Sequence, residues 1–158
     1  MDLILWRHAE AEDIGPDGDD LSRRLTPKGE RQAERMADWL NRRLAATTRI
    51  LVSPARRTQQ TAKALDRSFK TVAALAPGAS VDDLLAVARW PDAPEAVLVV
   101  GHQPVLGHVV ARLVGGIDAE AAGREWTVRK AAVVWLRLRE RDDPAQVVIQ
   151  AVQGPDFL

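Results

Sequence analysis

Three histidines (His8, His102 and His108) and three arginines (Arg7, Arg56 and Arg57) carry most of the chemistry open to this 158-residue sequence. A histidine can serve as general base, metal ligand or nucleophile, and its neighbours decide among these. His8 follows Arg7 at the end of the apolar run Leu3-Ile4-Leu5-Trp6, and Gly101-His102 ends the run Val97-Leu98-Val99-Val100. A third run, Ile50-Leu51-Val52-Ser53, leads through Pro54-Ala55 into Arg56 and Arg57. Metal binding is not expected, because cysteine is absent and His108 falls inside a helix some two turns beyond His102. Acyl transfer is not expected either, since no Ser or Cys nucleophile motif accompanies the histidines. Two histidines with arginines suit a phosphoryl group, whose transfer depends on positioning and on stabilising charge at the equatorial oxygens. Arginine's planar fork matches two such oxygens at once.

The three apolar runs read as buried strands of a sheet covered on both faces. Open α/β sheets bind ligands outside the carboxyl ends of their strands, so all three ends stand where a site belongs. Between them the spacing predicts helices. Thr26-Pro27 reads as an N-cap followed by proline at the first helical position, with Ala33, Met36, Ala37, Leu40 and Leu44 on one stripe. Ser53-Pro54 repeats that signature for a helix through about Arg67. Two arginines in its first turn oppose the helix dipole, and an anion held between them and the amides would account for them. Arginines that merely reach solvent or a carboxylate are the commoner case.

Residues 11–24, with Gly15-Pro16-Asp17-Gly18-Asp19-Asp20 at their centre, read as a loop leaving the strand that carries His8. Such a loop either lies over the site or is simply an acidic solvated segment. Val72-Ala73-Ala74-Leu75 reads as a short strand, and Ser80 caps a helix beginning near Val81, with Asp82 and Asp83 matching its dipole. A helix from about Val105 to Val114 stops at Gly115-Gly116, and residues 117–125 read as irregular. Alternation in 133–139 and in 147–151, either side of the turn-like Asp142-Asp143-Pro144, predicts a closing antiparallel hairpin at the sheet edge.

Length predicts one domain over residues 1–158. The 22 basic and 22 acidic side chains cancel, so the chain lacks the basic balance of a general nucleic-acid binder, and any anion site is local. No apolar stretch approaches a membrane span of about 20 residues, and Met1-Asp2-Leu3 lacks a basic signal start. A cytoplasmic protein with no nucleic-acid or membrane partner is expected, and the absence of cysteine suits a reducing compartment.

These residues resemble a known family. Arg7-His8-Ala9 is similar to the Arg-His-Gly signature of the histidine phosphatase superfamily, the phosphoglycerate mutase-like group. Ser53-Pro54-x-x-Arg57-x-x-Gln60-Thr61 and Gly101-His102 resemble its second and third motifs, and Leu25-Thr26-Pro27-x-Gly29 also fits its order. The short chain and the run Gly101-His102-Gln103-Pro104-x-x-Gly107 look most like SixA-type phosphohistidine phosphatases. The resemblance implies a three-layer α/β/α fold with a mostly parallel central sheet and an antiparallel edge. It implies that His8 becomes phosphorylated and that Arg7, Arg57 and His102 hold the phosphoryl oxygens without metal or cofactor. The family arginine lies four residues after the motif serine, which selects Arg57 and leaves Arg56 at the rim. Ser53 and Gln60 are expected to be structural.

Two departures bear on substrate. Ala9 stands where glycine is usual, a small change. The superfamily's carboxylate proton donor has no counterpart around residues 74–80, and the nearest acids, Asp82 and Asp83, are accounted for by helix capping. An alkoxide leaving group, whose conjugate acid is nearly as weak as water with pKa ~15.7, wants a general acid. A phosphorylated imidazole protonated on its other nitrogen releases neutral imidazole, whose conjugate acid has pKa ~6.5. Phosphohistidine proteins, such as phosphorelay or phosphotransfer domains, are therefore expected ahead of small phosphorylated metabolites. A non-catalytic phosphate-binding module is the alternative from another class.

Overall fold

A computed structural model describes residues 1–141 and 145–158, so the turn expected at Asp142-Asp143-Pro144 lies outside the described residues. The strands are β1 (Asp2–Arg7), β2 (Arg49–Val52), β3 (Lys70–Thr71), β4 (Val97–Gly101), β5 (Val133–Arg139) and β6 (Gln146–Gln153). The helices are α1 (Pro27–Asn41), α2 (Arg56–Lys63), α3 (Val81–Ala88) and α4 (Val105–Gly115). One sheet runs β3-β2-β4-β1-β5-β6, parallel from β3 to β1 and antiparallel from β1 through β6.

Period-two alternation sorts each central strand's side chains between two apolar cores. Ile4 and Trp6 of β1 with Leu98 and Val100 of β4 face α1 and α2, packing with Ala33, Met36, Leu40 and Ala62. Leu3 and Leu5 with Val97 and Val99 face α3 and α4, packing with Leu84, Leu106 and Val109. The layers are therefore α/β/α, and both faces of β1 and β4 are dry, which is why their sequences are continuous apolar runs. Among the described residues no helix is long and apolar enough to cross a membrane.

Three local expectations are corrected. Helix α2 begins at Arg56 with Ala55 as its N-cap, and no side chain caps it, because the Ser53 hydroxyl is engaged elsewhere. It ends at Lys63 rather than near Arg67, and the chain turns through Asp66 in the left-handed region at φ 52°. The third strand is Lys70–Thr71, followed by a 3₁₀ turn at Ala73–Leu75 in place of a strand at 72–75. Alanine-rich 73–74 has little to gain on an edge strand, and the turn buries Leu75 against the α3 side of the sheet. The capping expectations hold: Thr26 Oγ1 accepts from Gly29 N at 3.0 Å, and Ser80 and Asp83 form a capping box.

Candidate active site

Strands β1 and β4 are parallel neighbours with Arg7 opposite Gly101, so the residues that follow them emerge side by side. His8 N donates to Gly101 O at 3.1 Å, fixing the two ends together. The imidazoles of His8 and His102 lie 5.4 Å apart between centroids and are 5% and 3% exposed. Arg57 is buried at 4% exposure, whereas its neighbour Arg56 projects to the surface. A helical step of about 100° per residue separates consecutive side chains, so a single sheet-facing position near the start of α2 chooses one arginine of the pair.

His8 Nδ1 lies 2.8 Å from Ala9 O. A carbonyl only accepts, so Nδ1 carries the proton and the Nε2 lone pair is left available. His102 Nε2 lies 2.7 Å from Ser53 Oγ, which also accepts from Ala55 N at 3.3 Å. Ser53 thus orients an imidazole rather than capping α2. Burial, with Arg57 and Arg7 adding like charge, lowers the pKa of His8 to about 4. Burial, then Arg57 and His8, lowers that of His102 to about 3. Both rings are neutral near pH 7.

Five buried side-chain polar atoms among the described residues have no partner within the protein, and three of them belong to this cluster: Arg7 Nε, Arg57 Nε and His102 Nδ1. Buried polar atoms are seldom left unpaired, and a cluster of three in the site that holds His8 and His102 is one that could receive an anion. Burial and the charge of Arg57 hold the Arg7 guanidinium below its ordinary pKa, which an anion between the two would relieve. Among the described residues no three His, Cys, Asp or Glu side chains are grouped to hold a metal ion.

The surrounding bonds explain several motif residues. Thr61 Oγ1 accepts from Ala9 N at 3.0 Å and donates to Arg57 O at 2.8 Å, tying the His8 turn to α2. Gln60 Oε1 accepts from Leu25 N at 2.8 Å, holding the end of the 11–24 loop. Gly29 lets α1 approach the Glu10 carbonyl, where a Cβ would collide with that oxygen. Gln103 Nε2 donates to Trp126 O at 3.0 Å, and Gly107 admits that same carbonyl. Two residues later, Val128 O accepts from Arg7 Nη1 at 2.9 Å.

The two aspartates considered as proton donors are engaged in other bonds. Asp83 is spent on the capping box, and exposed Asp82 pairs with Arg112 at 2.6 Å. His108 lies on α4 away from the strand ends.

Two groups escaped the sequence reading. Asp20, in a 3₁₀ turn of the 11–24 loop, accepts from Arg57 Nη1 through its carbonyl at 2.8 Å and from Nη2 through Oδ2 at 3.1 Å. The loop is therefore tied to the site and is not a free acidic segment; one more aspartate in a run of four gave no signal. Ala131 adopts φ 62°, donates from its N–H to His8 O at 3.0 Å and accepts from Trp6 Nε1 at 2.9 Å. Nothing local marks an alanine for a left-handed conformation. Beside Arg7 a groove of about 660 Å³ opens, lined by Val110, Trp126, Val128, Val152 and Phe157, with Lys28 and Lys130 also on its walls.

Comparison with known proteins agrees with this geometry. Residues 3–78 match the model of the histidine phosphatase superfamily (branch 1). The chain is 31% identical to a SixA phosphohistidine phosphatase homolog of Haemophilus influenzae, over 73% of this chain and 78% of that protein. It is 31% identical to a candidate phosphohistidine phosphatase SixA from Nakamurella multipartitia, with TM-score 0.76 over 98% of this chain and 95% of that one. A protein histidine phosphatase SixA complexed with tungstate is 25% identical, with TM-score 0.76 over 99% of both chains. By its motifs, its fold and these relatives, the chain belongs to the histidine phosphatase superfamily.

Proposed function

We propose that this protein is a metal-independent protein phosphohistidine phosphatase that works through a phosphorylated His8. The observation that carries the proposal is a neutral imidazole with an available Nε2 in a cluster with two buried arginine Nε–H donors and the buried Nδ1 of His102, none of which has a protein partner. The Nε2 lone pair of His8 attacks phosphorus, the new N–P bond forms, and the bond from phosphorus to the leaving group breaks with its electron pair going to that group. Water then attacks the phosphoryl on His8, the N–P bond breaks, and inorganic phosphate leaves with His8 restored. Arg7 and Arg57 donate to the equatorial oxygens throughout, where charge develops.

His102 supplies the third donor. If the Ser53 hydroxyl donates to Nε2, the imidazole proton sits on Nδ1 and faces the anion as a neutral donor. Ser53 accepts from Ala55 N, which leaves its hydroxyl hydrogen free to point that way.

Two observations favour phosphohistidine over an alkyl phosphate. Asp82 and Asp83, the nearest acids after the second motif, are committed to an ion pair and a helix cap, so neither is placed to protonate an alkoxide. The relatives described as phosphohistidine phosphatases point the same way. Phosphate release from a phosphohistidine-bearing phosphotransfer domain, measured beside release from alkyl, sugar and nucleotide phosphates, tests this reading. The phosphohistidine protein is expected to be the far better substrate. Equal or faster turnover of a sugar or nucleotide phosphate would assign a small-molecule phosphomonoesterase instead.

A further inference from the structure

Both terminal nitrogens of Arg57 are already bonded to a carboxyl-bearing residue. Asp20 takes one hydrogen from Nη1 on its carbonyl and one from Nη2 on its carboxylate, while Nε is buried with no protein partner. The carboxylate is half exposed and the Arg57 side chain almost wholly buried; its two terminal nitrogens are bonded to the loop at Asp20, and Nε is the nitrogen left for another acceptor. The second carboxylate oxygen of Asp20 is held by Arg23 Nη1 at 3.1 Å. Arg23 is in turn anchored through Nε to Glu12 O at 2.6 Å. The strap is thus fixed at both ends: Glu12 lies close behind the nucleophile turn, and Arg57 stands across the site.

A carboxylate on a phosphate-binding arginine can act in two opposite ways. It can occupy the donors the phosphoryl needs, which would make the loop an inhibitor of its own site. Alternatively, it can fill the outer donors and hold the guanidinium in one orientation, which lowers the cost of ordering it when substrate arrives. The division of Arg57's nitrogens distinguishes these. A competitor would take every donor open to the phosphoryl group, yet Asp20 leaves Nε without a partner. We propose that Asp20 is a positioning residue that locks Arg57 with Nε presented to the phosphoryl group. This rests on the reading of Arg57 as a phosphoryl-binding residue.

The test uses the full chain with three substitutions, Asp20→Ala, Asp20→Asn and Arg57→Ala. Tungstate binding is measured by calorimetry, kcat and KM on a phosphohistidine protein by phosphate release, and Tm by thermal unfolding. Asp20→Ala is expected to weaken tungstate binding and lower kcat, each by on the order of tenfold, with little change in Tm. Asp20→Asn keeps one side-chain acceptor oxygen, which can face Arg57 Nη2 while its amide nitrogen replaces the oxygen that accepts from Arg23, and is expected to recover part of the loss. In the Arg57→Ala background Asp20→Ala is expected to add nothing. Tighter tungstate binding or faster turnover in Asp20→Ala would overturn the proposal in favour of self-competition. Unchanged tungstate binding and kcat in Asp20→Ala would overturn it outright, while the wild-type values would still stand for the phosphatase reading. If the wild-type protein itself fails to bind tungstate, both readings fall together.

Discussion

The two halves of the sheet contribute to the site in different ways. From β3 to β1 the strands are parallel, β1 and β4 are buried on both faces, and the three longer strands deliver His8, His102 and the arginines at their carboxyl ends. The β5–β6 pair is antiparallel and partly exposed, with Ile149 and Val152 open to solvent, and among its described residues none hydrogen-bonds to His8 or His102. What it contributes comes from the chain that leads into it: Ala131 braces His8 and Trp6 through backbone bonds, and Val128 O holds Arg7. One half of the fold carries the candidate reacting groups and the other braces them. Chemistry gathers where parallel strands end together, because there the chain must turn away and side chains meet without backbone partners between them.

The sharpest break in that comparison is His8→Ala. It is expected to abolish turnover while tungstate binding by calorimetry largely survives, since Arg7, Arg57 and His102 remain. Next comes the arginine pair. Arg57→Ala is expected to lower kcat by about 10²- to 10³-fold, as the loss of one oxyanion donor does elsewhere, whereas Arg56→Ala should leave steady-state rates within a factor of two or so. A reversal of that order would mean the second motif had been placed one residue out of register.

The bracing half is tested at Ala131. Ala131→Val puts a β-branched side chain at φ 62° in a fully buried position and is expected to cost about 2 kcal/mol or more in chemical denaturation. It should lower kcat as well, because the bonds that Ala131 N and O make to His8 O and Trp6 Nε1 depend on that conformation. Acid provides a milder perturbation. His8 and His102 are lowered to about 4 and about 3 when folded, against about 6.5 when unfolded. The unfolded chain therefore binds more protons between those values, and Tm should fall as pH drops from about 6.5 towards 4 and 3. His8→Ala should flatten the upper part of that slope. For the free enzyme, the acid limb of kcat/KM should lie near pH 4 rather than near 6.5. The smallest effect is expected on the exposed hairpin, where Ile149→Thr should change stability by no more than about 0.5 kcal/mol and leave kcat alone.

Much of this arrangement is legible in the sequence, and the boundary of what is legible follows from physics. Continuous apolar runs such as Val97-Leu98-Val99-Val100 announce strands buried on both sides, and the polar residue ending each run marks the sheet edge where ligands bind. Thr26 and Ser80 are read correctly as caps because capping is local. Ser53 is misread for the same reason: its spacing is that of a cap, but a histidine 49 positions away takes its hydroxyl. Asp20 and Ala131 are invisible in the sequence because their importance lies in pairs of long-range bonds, from Arg57 to Asp20 and between Ala131 and both His8 and Trp6, that no periodicity encodes. The register of Arg56 against Arg57 is ambiguous from charge alone and becomes plain once one guanidinium is buried and the other is not.

The central claim is that His8 is the atom donor to phosphorus, and it is tested by trapping. The protein is mixed with a phosphohistidine phosphotransfer domain, quenched in base to preserve N-linked phosphate, digested and mapped by mass spectrometry. A base-stable, acid-labile phosphoryl on His8, absent in His8→Ala, is the expected result. Full turnover with the phosphoryl found on His102, or on no residue of the protein, would contradict it.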